Sequence, residues 1–403
     1  MLTTARIARS EMGIMNRAEQ LRAEINKAMG GNVLQMGNDK RYAVEYMPTG
    51  VLPFDILLNG GIPRGRFVTV TGAYSTLKSY LGLMSIAETQ RRGGTCALID
   101  TEHAFDPSWA TQLGVDTKNL IIWPPLDDDS KQDVTGEEAF DMAEVLVRSK
   151  VDLITFDSVA ASLPQQEQNK RLSKESVQPG RLAALMSLAM RKLTAPNQKT
   201  GILFINQLRE QIGVMFGNPE KATGGRALPY YSSIIVNIRT AGWITEASKV
   251  FDGDTNHSTK RKIGQLFVGQ VQKSKLNTPW TDLYFAYDMR KSQIDMPKFL
   301  FAQGVEIGEI ERSGNKWSCL GVTAPSKEKF LDLLVSEPDL QEALEEAVRK
   351  HHGIPILGNP VTGRKKAVAS KASSSSSGAR KRTQVRGRAA SSSTAAPRKK
   401  LSR

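Results

Sequence analysis

Short apolar runs alternate with stretches of helical periodicity between residues 67 and 206, and this alternation constrains the fold more than any other feature. Four of the runs, FVTVTG, CALID, DLITFD and GILFIN, are typical of buried strands. Strands that alternate with helices form βαβ units, whose parallel sheet is covered by helices on both faces. We therefore predict an α/β fold with a mainly parallel central sheet. Two later runs, SIIVNI and QLFVGQV, have shorter connections and predict an antiparallel extension of that sheet.

The two ends of the chain predict smaller elements. The first 28 residues place apolar residues at helical spacing and predict a helix, which Gly30 and Gly31 end. An extended piece, NVLQMG, follows. This N-terminal helix and strand either cap the core or pack on a neighbouring subunit. Residues 325–352 predict two amphipathic helices with a break near Pro338, which contribute to a small C-terminal domain.

The positive charge of the chain is concentrated at its C-terminus. The formal net charge is +14, and residues 363–403 contain 13 Lys and Arg and no acidic residue. The remainder is nearly balanced, with 42 basic and 41 acidic residues. A tail with almost no large apolar residue does not bury enough surface to fold, so we expect it to be disordered. Its cations are suited to bind phosphate backbones without reading sequence, the alternatives being a solubilising tail or an address signal.

Composition excludes several classes of protein. No apolar run approaches the roughly 18 residues that span a bilayer. The N-terminus lacks the apolar middle of a secretory signal. Cys96 and Cys319 are too few for a disulfide framework, and four scattered His with two distant Cys predict no metal cluster. These features predict a reduced, cytoplasmic compartment.

A phosphate-binding loop is the motif with the most specific chemistry. The segment Gly72-Ala73-Tyr74-Ser75-Thr76-Leu77-Lys78-Ser79 follows a strand and precedes a helix. In the template G-x-x-x-x-G-K-[ST], backbone N–H groups surround the phosphates, the Lys reaches the β/γ oxygens and the hydroxyl holds Mg²⁺. Three of the four fixed positions match, and Leu77 replaces the second Gly. If that position needs a positive φ, a leucine there is strained by about 1–3 kcal/mol. The alternative is a strand-to-helix turn with an incidental Lys-Ser.

Two acidic residues follow neighbouring strands of the predicted sheet. Asp157 ends the run DLITFD and is suited to hold the water shell of Mg²⁺ opposite Ser79. Glu102 follows the run CALID, at the edge where open α/β sheets bind their ligands. Glu102 is suited to orient and activate a water that attacks the γ-phosphate, or it is simply an acidic residue near a helix N-terminus.

Two long polar segments begin at the same sheet edge. One covers about residues 165–180, and the other, about residues 208–226, follows Gln207 at the end of GILFIN. The second segment is rich in glycine and carries Arg209, Met215 and Phe216. Such loops either contact the backbone and bases of a nucleic acid or form lids over the nucleotide.

The sequence resembles the RecA family of homologous-recombination ATPases from about residue 15 to 352. The resemblance is carried by TGVLPFDILLNGGIPRGR, LIDTEHAFDPSWATQLGVD, LITFDSVAA, SLAMRKL and, most specifically, FINQLREQIGVMFGNPEKATGGRAL. Hexameric helicases share the phosphate loop but not this last segment. The resemblance implies a polymerisation helix and strand (1–40), a RecA-like P-loop ATPase core (41–294) and a small α+β C-terminal domain (295–355). The disordered basic tail that the composition predicts completes the chain (356–403).

The resemblance also implies the residues of an ATP site. Glu102 matches the water-activating glutamate, Gln207 the glutamine that senses the γ-phosphate, and Lys78 the loop lysine. Ser79 and Asp157 match the groups that hold Mg²⁺ through water. Asp106 and Trp109 match the positions that contact adenine, with Trp109 in place of the usual tyrosine. The implied ATP-binding set is Gly72, Ala73, Tyr74, Ser75, Thr76, Leu77, Lys78, Ser79, Tyr80, Asp106, Trp109, Asp157, Lys273 and Lys275.

DNA contacts and a filament interface follow from the same resemblance. Lys273 and Lys275 match lysines that reach the nucleotide of a neighbouring subunit, and Tyr230 matches an aromatic at that interface. A head-to-tail contact that does not close gives a helical filament. The implied DNA-binding residues are Arg181, Arg209, Met215, Phe216, Gly217, Asn218, Gly224, Gly225 and Arg226.

Several positions depart from the family pattern. Leu77 replaces the loop glycine, and Ala184 stands where a DNA-contacting arginine is usual, so Arg181 is the expected substitute. The tail is basic where many bacterial members have an acidic one, which should favour uptake of duplex DNA. These departures suggest a divergent or phage-encoded member.

The predicted function is that of an ATP-dependent recombinase with roles in DNA repair and the SOS response. It is expected to form a filament on single-stranded DNA and to pair that strand with a homologous duplex, with DNA-stimulated ATP hydrolysis. Two alternatives are open: a DNA-coating filament protein whose degenerate phosphate loop does not hydrolyse ATP, and a ring-forming motor of the same core fold.

Overall fold

The computed structural model describes residues 17–124, 134–168, 180–210, 220–251, 256–276 and 282–357. The predicted disorder of the basic tail falls outside these residues. So do most of the first predicted DNA loop and the centre of the second.

Fifteen strands lie in the described residues. They are β1 (Tyr46–Met47), β2 (Ile62–Pro63), β3 (Phe67–Gly72), β4 (Cys96–Asp100), β5 (Leu120–Trp123), β6 (Leu153–Asp157), β7 (Gly201–Glu210), β8 (Glu220–Ala222), β9 (Ile234–Phe251), β10 (Asn256–Ser274), β11 (Asp282–Asp288), β12 (Gln293–Ile294), β13 (Glu311–Ser313), β14 (Lys316–Cys319) and β15 (Val322–Ala324).

The helices of the same residues begin with α1, residues 17–28. They continue with α2 (Leu52–Leu57), α3 (Lys78–Arg91), α4 (Pro107–Gln112), α5 (Gly136–Arg148), α6 (Gln165–Gln168), α7 (Arg181–Thr194), α8 (Ala227–Tyr231), α9 (Met296–Glu306), α10 (Lys327–Ser336) and α11 (Pro338–His351). None of these helices is both long and apolar enough to cross a membrane.

The central sheet confirms the predicted α/β fold. Its strands are ordered β12-β11-β10-β9-β3-β7-β6-β4-β5, with β8 paired to β7. The run from β9 to β5 is parallel throughout, and β9, β10, β11 and β12 form the predicted antiparallel extension. The helices α3, α5 and α7 connect the parallel strands, as the periodicity of their sequences predicts.

The register of the parallel strands brings their carboxyl ends together. Asp100 at the end of β4 is opposite Asp157 at the end of β6. Gly72 at the end of β3 is opposite Gln207 in β7. Because parallel strands all end at the same edge, the residues that follow them lie side by side. The candidate site residues therefore meet at one edge of the sheet.

Apolar packing covers both faces of the sheet, as parallel strands require. On one face Leu98 and Leu203 belong to a cluster that continues into the C-terminal helices. On the other face Phe140 of α5 stacks on Phe156 of β6, with ring centroids 4.8 Å apart. Burial of each large side chain of this kind contributes roughly 1.5–3 kcal/mol to the stability of the fold. The sheet edge that carries the site is therefore supported by a well-packed core.

Three local features differ from the sequence prediction. The strands β9 and β10 have 18 and 19 residues, far longer than their apolar runs, because they continue into segments, residues 239–247 and 259–262, that are almost entirely exposed. The short edge strand β5 carries too few residues for a periodic signal. The piece NVLQMG pairs with no strand in the described chain, and Asn26 instead holds both the N–H and the carbonyl of Leu34.

The C-terminal helices pack on the core around one buried ion pair. Pro338 occupies the first turn of α11, which confirms the predicted break between the last two helices. From α11, Arg349 donates to Asp55 of α2 at 2.9 Å, and both side chains are almost completely buried. This contact joins segments that lie far apart in the sequence.

Candidate nucleotide site

The phosphate loop runs from the end of β3 to the start of α3. Leu77, at the N-cap of α3, has the left-handed backbone angles φ 62° and ψ 18°. The position therefore has the positive φ at which a leucine is strained. Gly72 is required for another reason, since a Cβ there would lie 2.5 Å from both the Ile238 carbonyl oxygen and Thr76 Oγ1.

The side chain of Lys78 folds back over the phosphate loop and is held there by hydrogen bonds to loop residues. Its Nζ donates to the carbonyls of Gly72 at 3.1 Å and Ala73 at 2.5 Å, and to Thr76 Oγ1 at 3.2 Å. Burial lowers the pKa of Lys78, although the charges of Asp157 and Glu102 oppose this shift. The ammonium group thus lies at the first turn of α3. Both its positive charge and the N-terminus of the helix favour an anionic group at this place.

Ser79 and Asp157 form a hydrogen-bonded pair at the centre of the site. Ser79 Oγ donates to Asp157 Oδ2 at 2.6 Å. Burial raises the pKa of Asp157 to about 6, helped by the charges of Glu102 and Asp100 and opposed by Ser79 and Lys78. A hydroxyl and a carboxylate are hard oxygen ligands, which fit a Mg²⁺ ion that keeps several waters. In the described ranges no group of three or more metal-ligating side chains lies together, so water and phosphate would complete the shell.

Glu102 lies beside this pair, at the end of β4. Its Oε1 accepts from Gln207 Nε2 at 2.7 Å and from Ser158 Oγ. Ser158 is fully buried, whereas Glu102 and Gln207 are exposed to solvent. The carboxylate is therefore fixed from the protein side while it faces open space. Ser158 was not predicted from the sequence, because a serine that follows a strand carries no specific signal.

Gln207 connects the site to the base of the second loop. Leu208 of β7 pairs with Ala222 of β8, so the segment between them leaves and re-enters the fold beside Gln207. Asn206 closes the base, because its amide donates to the Thr223 carbonyl at 2.9 Å and its Oδ1 accepts from Gln207 N at 2.9 Å. The side chain that contacts Glu102 therefore belongs to the strand from which the second loop departs.

One cavity of about 690 Å³ contains these groups, a size typical of cofactor sites. The predicted residues that line it are Gly72, Ala73, Tyr74, Ser75, Thr76, Leu77, Lys78, Ser79, Tyr80, Glu102, Trp109, Asp157 and Gln207. The sequence did not predict six further lining residues. Ile205 and Leu208 come from β7, whereas Gln265, Phe267, Tyr287 and Met289 come from β10, β11 and the turn after β11. No motif marks the last four, because only the sheet order brings the antiparallel extension next to β3.

Of the ATP-site residues that the resemblance implies, Lys273 and Lys275 do not line the cavity of the described chain, and neither does Asp106. It caps α4 by accepting from Ser108 N at 2.8 Å. Trp109, one turn later, does line the cavity. Tyr80 is buried beneath the site, where its ring meets Tyr287 edge-to-face at 5.6 Å and burial raises its pKa to about 12.

Lys273 and Lys275 lie away from this cavity. Both donate to the Tyr230 carbonyl at 3.0 Å, and the ring of Tyr230 is 70 % exposed. Burial and the neighbouring charge of Lys275 lower the pKa of Lys273. The three predicted interface residues thus form one surface cluster.

Among the described DNA-binding candidates, Arg181, Gly224 and Gly225 lie on or against α7. Arg181 begins that helix and donates to the Gln166 carbonyl at 2.9 Å. Gly225 packs so closely on α7 that a Cβ would lie 2.6 Å from the Cβ of Ala183, and both Gly224 and Gly225 have positive φ. Arg226 is exposed at the N-cap of α8, and Arg209 belongs to β7. Met215, Phe216, Gly217 and Asn218 lie outside the described residues.

Comparisons with known proteins identify the family of this chain. Residues 17–283 match the family model described as the RecA N-terminal domain. The chain is 39 % identical over 334 residues to Protein RecA of Acidiphilium cryptum, covering 81 % of this chain and 91 % of the relative. It is 36 % identical over 346 residues to Protein RecA of Acidothermus cellulolyticus, covering 84 % of this chain and 94 % of the relative.

A solved structure, the RadB recombinase, aligns with 62 % of this chain and 98 % of its own, at 19 % identity and a TM-score of 0.41. The family assignment rests on the sequence matches, which extend over most of both chains. This chain therefore belongs to the RecA family of recombinases.

Proposed function

We propose that this protein is an ATP-dependent DNA recombinase that forms a filament on single-stranded DNA and exchanges it with a homologous duplex. One observation carries the proposal. Lys78, Ser79, Asp157, Glu102 and Gln207 come from four strand ends and converge on a single cavity. A turn with an incidental Lys-Ser would not be accompanied by the other three groups.

Each of these groups has a role that follows from its position. The loop N–H groups and Lys78 bind the phosphates at the N-terminus of α3. Ser79 and Asp157 would hold Mg²⁺ through water, and the ion would neutralise charge on the phosphates. Glu102 orients a water and accepts its proton as it attacks the γ-phosphate. Trp109 and Tyr287 supply aromatic surface for the base.

DNA binding is assigned to the two loops at the same edge of the sheet. The relatives named Protein RecA support this role. So does the hydrogen bond from Gln207 to Glu102, because Gln207 lies at the base of the second loop. Contacts to the phosphate backbone and stacking on bases suffice here, since base pairing itself supplies the sequence specificity.

Filament formation is supported by apolar side chains near the N-terminus that nothing in the described chain covers. Leu21, Met29, Val33 and Leu34 are all exposed. An isolated helix with an apolar stripe is marginal in water, and packing on a neighbouring subunit stabilises it. We assign the exposed Tyr230, with Lys273 and Lys275 beside it, to the surface that meets the neighbouring subunit on the other side of each protomer.

The decisive experiment measures ATP hydrolysis with and without single-stranded DNA. We expect strong stimulation by DNA in the wild type, its loss in Glu102→Gln, and no change in Glu311→Gln, which alters an exposed carboxylate of β13. Exchange of a fluorescent strand into a homologous duplex should then require ATP and the same glutamate.

A second candidate function is a DNA-coating filament protein that binds ATP without hydrolysing it. The strained backbone of Leu77 is the observation that favours it. DNA binding without hydrolysis at saturating ATP would select this candidate over the recombinase.

A further inference from the structure

The end of β4 is fastened to the end of β6 by a set of hydrogen bonds around one serine. Thr101 N donates to the Asp157 carbonyl at 2.8 Å, and Thr101 Oγ1 donates to the Ser158 carbonyl at 2.7 Å. Ser158 N in turn donates to Thr101 Oγ1 at 3.0 Å. The backbone of Ser158 is therefore fixed relative to the residue that precedes Glu102.

The hydroxyl of this serine contacts Glu102. Ser158 is fully buried, and its Oγ donates to Glu102 Oε1, the oxygen that also accepts from Gln207. Within the described chain no hydrogen bond reaches the other oxygen, Oε2. Two protein donors therefore occupy Oε1, and Oε2 is available to accept a proton from water.

The two donors to Oε1 differ in how firmly they are placed. Gln207 is exposed and lies at the base of the second loop, where its side chain faces solvent. Ser158 is buried and fastened by Thr101. If Gln207 leaves Glu102 to contact a nucleotide, Ser158 is the donor that keeps the carboxylate in place.

We infer that Ser158 is a positioning residue for hydrolysis: its hydroxyl holds Oε1 of Glu102 and so directs Oε2 toward the attacking water. This inference rests on the proposed ATP hydrolysis. It assigns Ser158 no contact with nucleotide, and it predicts an effect on the chemical step with little effect on binding. Small errors in the placement of a catalytic group cost roughly 100-fold in rate, which sets the scale of the expected loss.

The test is the steady-state kinetics of Ser158→Ala in the full chain, with ATP and saturating single-stranded DNA. We expect kcat to fall about 10- to 100-fold, while KM for ATP and the affinity for DNA change less than about twofold. The matched control is Ser162→Ala, because Ser162 is also buried and its Oγ has no hydrogen-bond partner in the described chain. That control should keep wild-type kcat.

A second pair of variants separates positioning from general damage. In a Glu102→Gln background, Ser158→Ala should change the residual rate less than about twofold, because the group that it positions is already disabled. A further fall of tenfold in that background, or a rise in KM that accounts for the whole effect, would overturn the inference. So would unchanged kcat in Ser158→Ala while the wild type hydrolyses ATP. Absence of hydrolysis in the wild type would overturn the proposed function itself, and this inference with it.

Discussion

Two carboxylates, Asp157 and Asp55, have pKa values shifted in the same direction but differ in their partners. Burial raises the pKa of each to about 6. Asp55 accepts from the backbone and hydroxyl of Thr49, both at 2.7 Å, and pairs with Arg349 at 2.9 Å. Asp157 accepts one side-chain hydrogen bond, from Ser79, and faces a cavity with two other carboxylates nearby.

We interpret this difference as one between a structural carboxylate, Asp55, and a carboxylate that we propose serves the bound nucleotide, Asp157. Asp55 is satisfied entirely by the protein, so its removal or isolation should affect stability. Asp157 has remaining acceptor capacity and excess negative charge around it, which a cation would relieve. Its removal should affect ligand binding instead.

The largest expected effect comes from isolating the structural carboxylate. Arg349→Met leaves Asp55 buried without its charge partner, and the free energy of unfolding should fall by about 3–5 kcal/mol. Denaturant unfolding monitored by circular dichroism measures it. Arg148→Met is the matched control, since it breaks the exposed pair with Glu144 on α5 and should cost only about 0.3–0.5 kcal/mol. Equal losses in the two variants would contradict the distinction.

The corresponding change at the functional carboxylate is Asp157→Asn. The affinity for ATP in the presence of Mg²⁺ should fall about 10- to 100-fold, because the amide no longer attracts the cation. The free energy of unfolding should stay within about 1 kcal/mol of the wild type. Calorimetric titration with and without Mg²⁺ measures the first quantity. A large loss of stability with unchanged affinity would reverse the assignment of the two residues.

The pKa of Asp157 predicts a pH dependence of a defined sign. Because that pKa is raised to about 6, the carboxylate becomes protonated as the pH falls through this value, and protons then compete with Mg²⁺. The Mg²⁺-dependent part of ATP affinity should fall about tenfold between pH 7 and pH 5. In Asp157→Asn the ATP affinity should no longer show this pH dependence, and only the part that comes from titration of the nucleotide itself should remain. A wild-type profile that matches the variant's would refute the prediction.

The smallest expected effect concerns the phosphate loop. Leu77→Gly removes the left-handed strain at φ 62°, and Leu77→Ala keeps it, while both lose the packing of the leucine against the core. The glycine variant should therefore be more stable than the alanine variant by about 1 kcal/mol. Thermal unfolding of both proteins measures the difference. An alanine variant at least as stable as the glycine variant would show that the strain is relieved elsewhere.

The sequence predicted most of the site because its motifs are local. The loop from Gly72 to Ser79, and the acids that end or follow two apolar runs, are recognised from neighbouring residues. The edge at which they meet follows from the parallel order of the strands. Ser158 was adjacent to a predicted residue yet carries no signal of its own, because a serine after a strand has many roles. The lengths of β9 and β10 were missed because exposed strands lack apolar alternation.

By itself, then, the amino-acid sequence determined the α/β fold, the phosphate loop and the family, since strand alternation and motif spacing are properties of short segments. Only the tertiary structure decided which distant side chains complete the site. Tyr287 and Met289 reach the cavity through the order of the sheet, and Ser158 and Gln207 share one oxygen of Glu102. Asp55 and Arg349 pair across the fold. Such contacts depend on how whole elements pack, which no local pattern encodes.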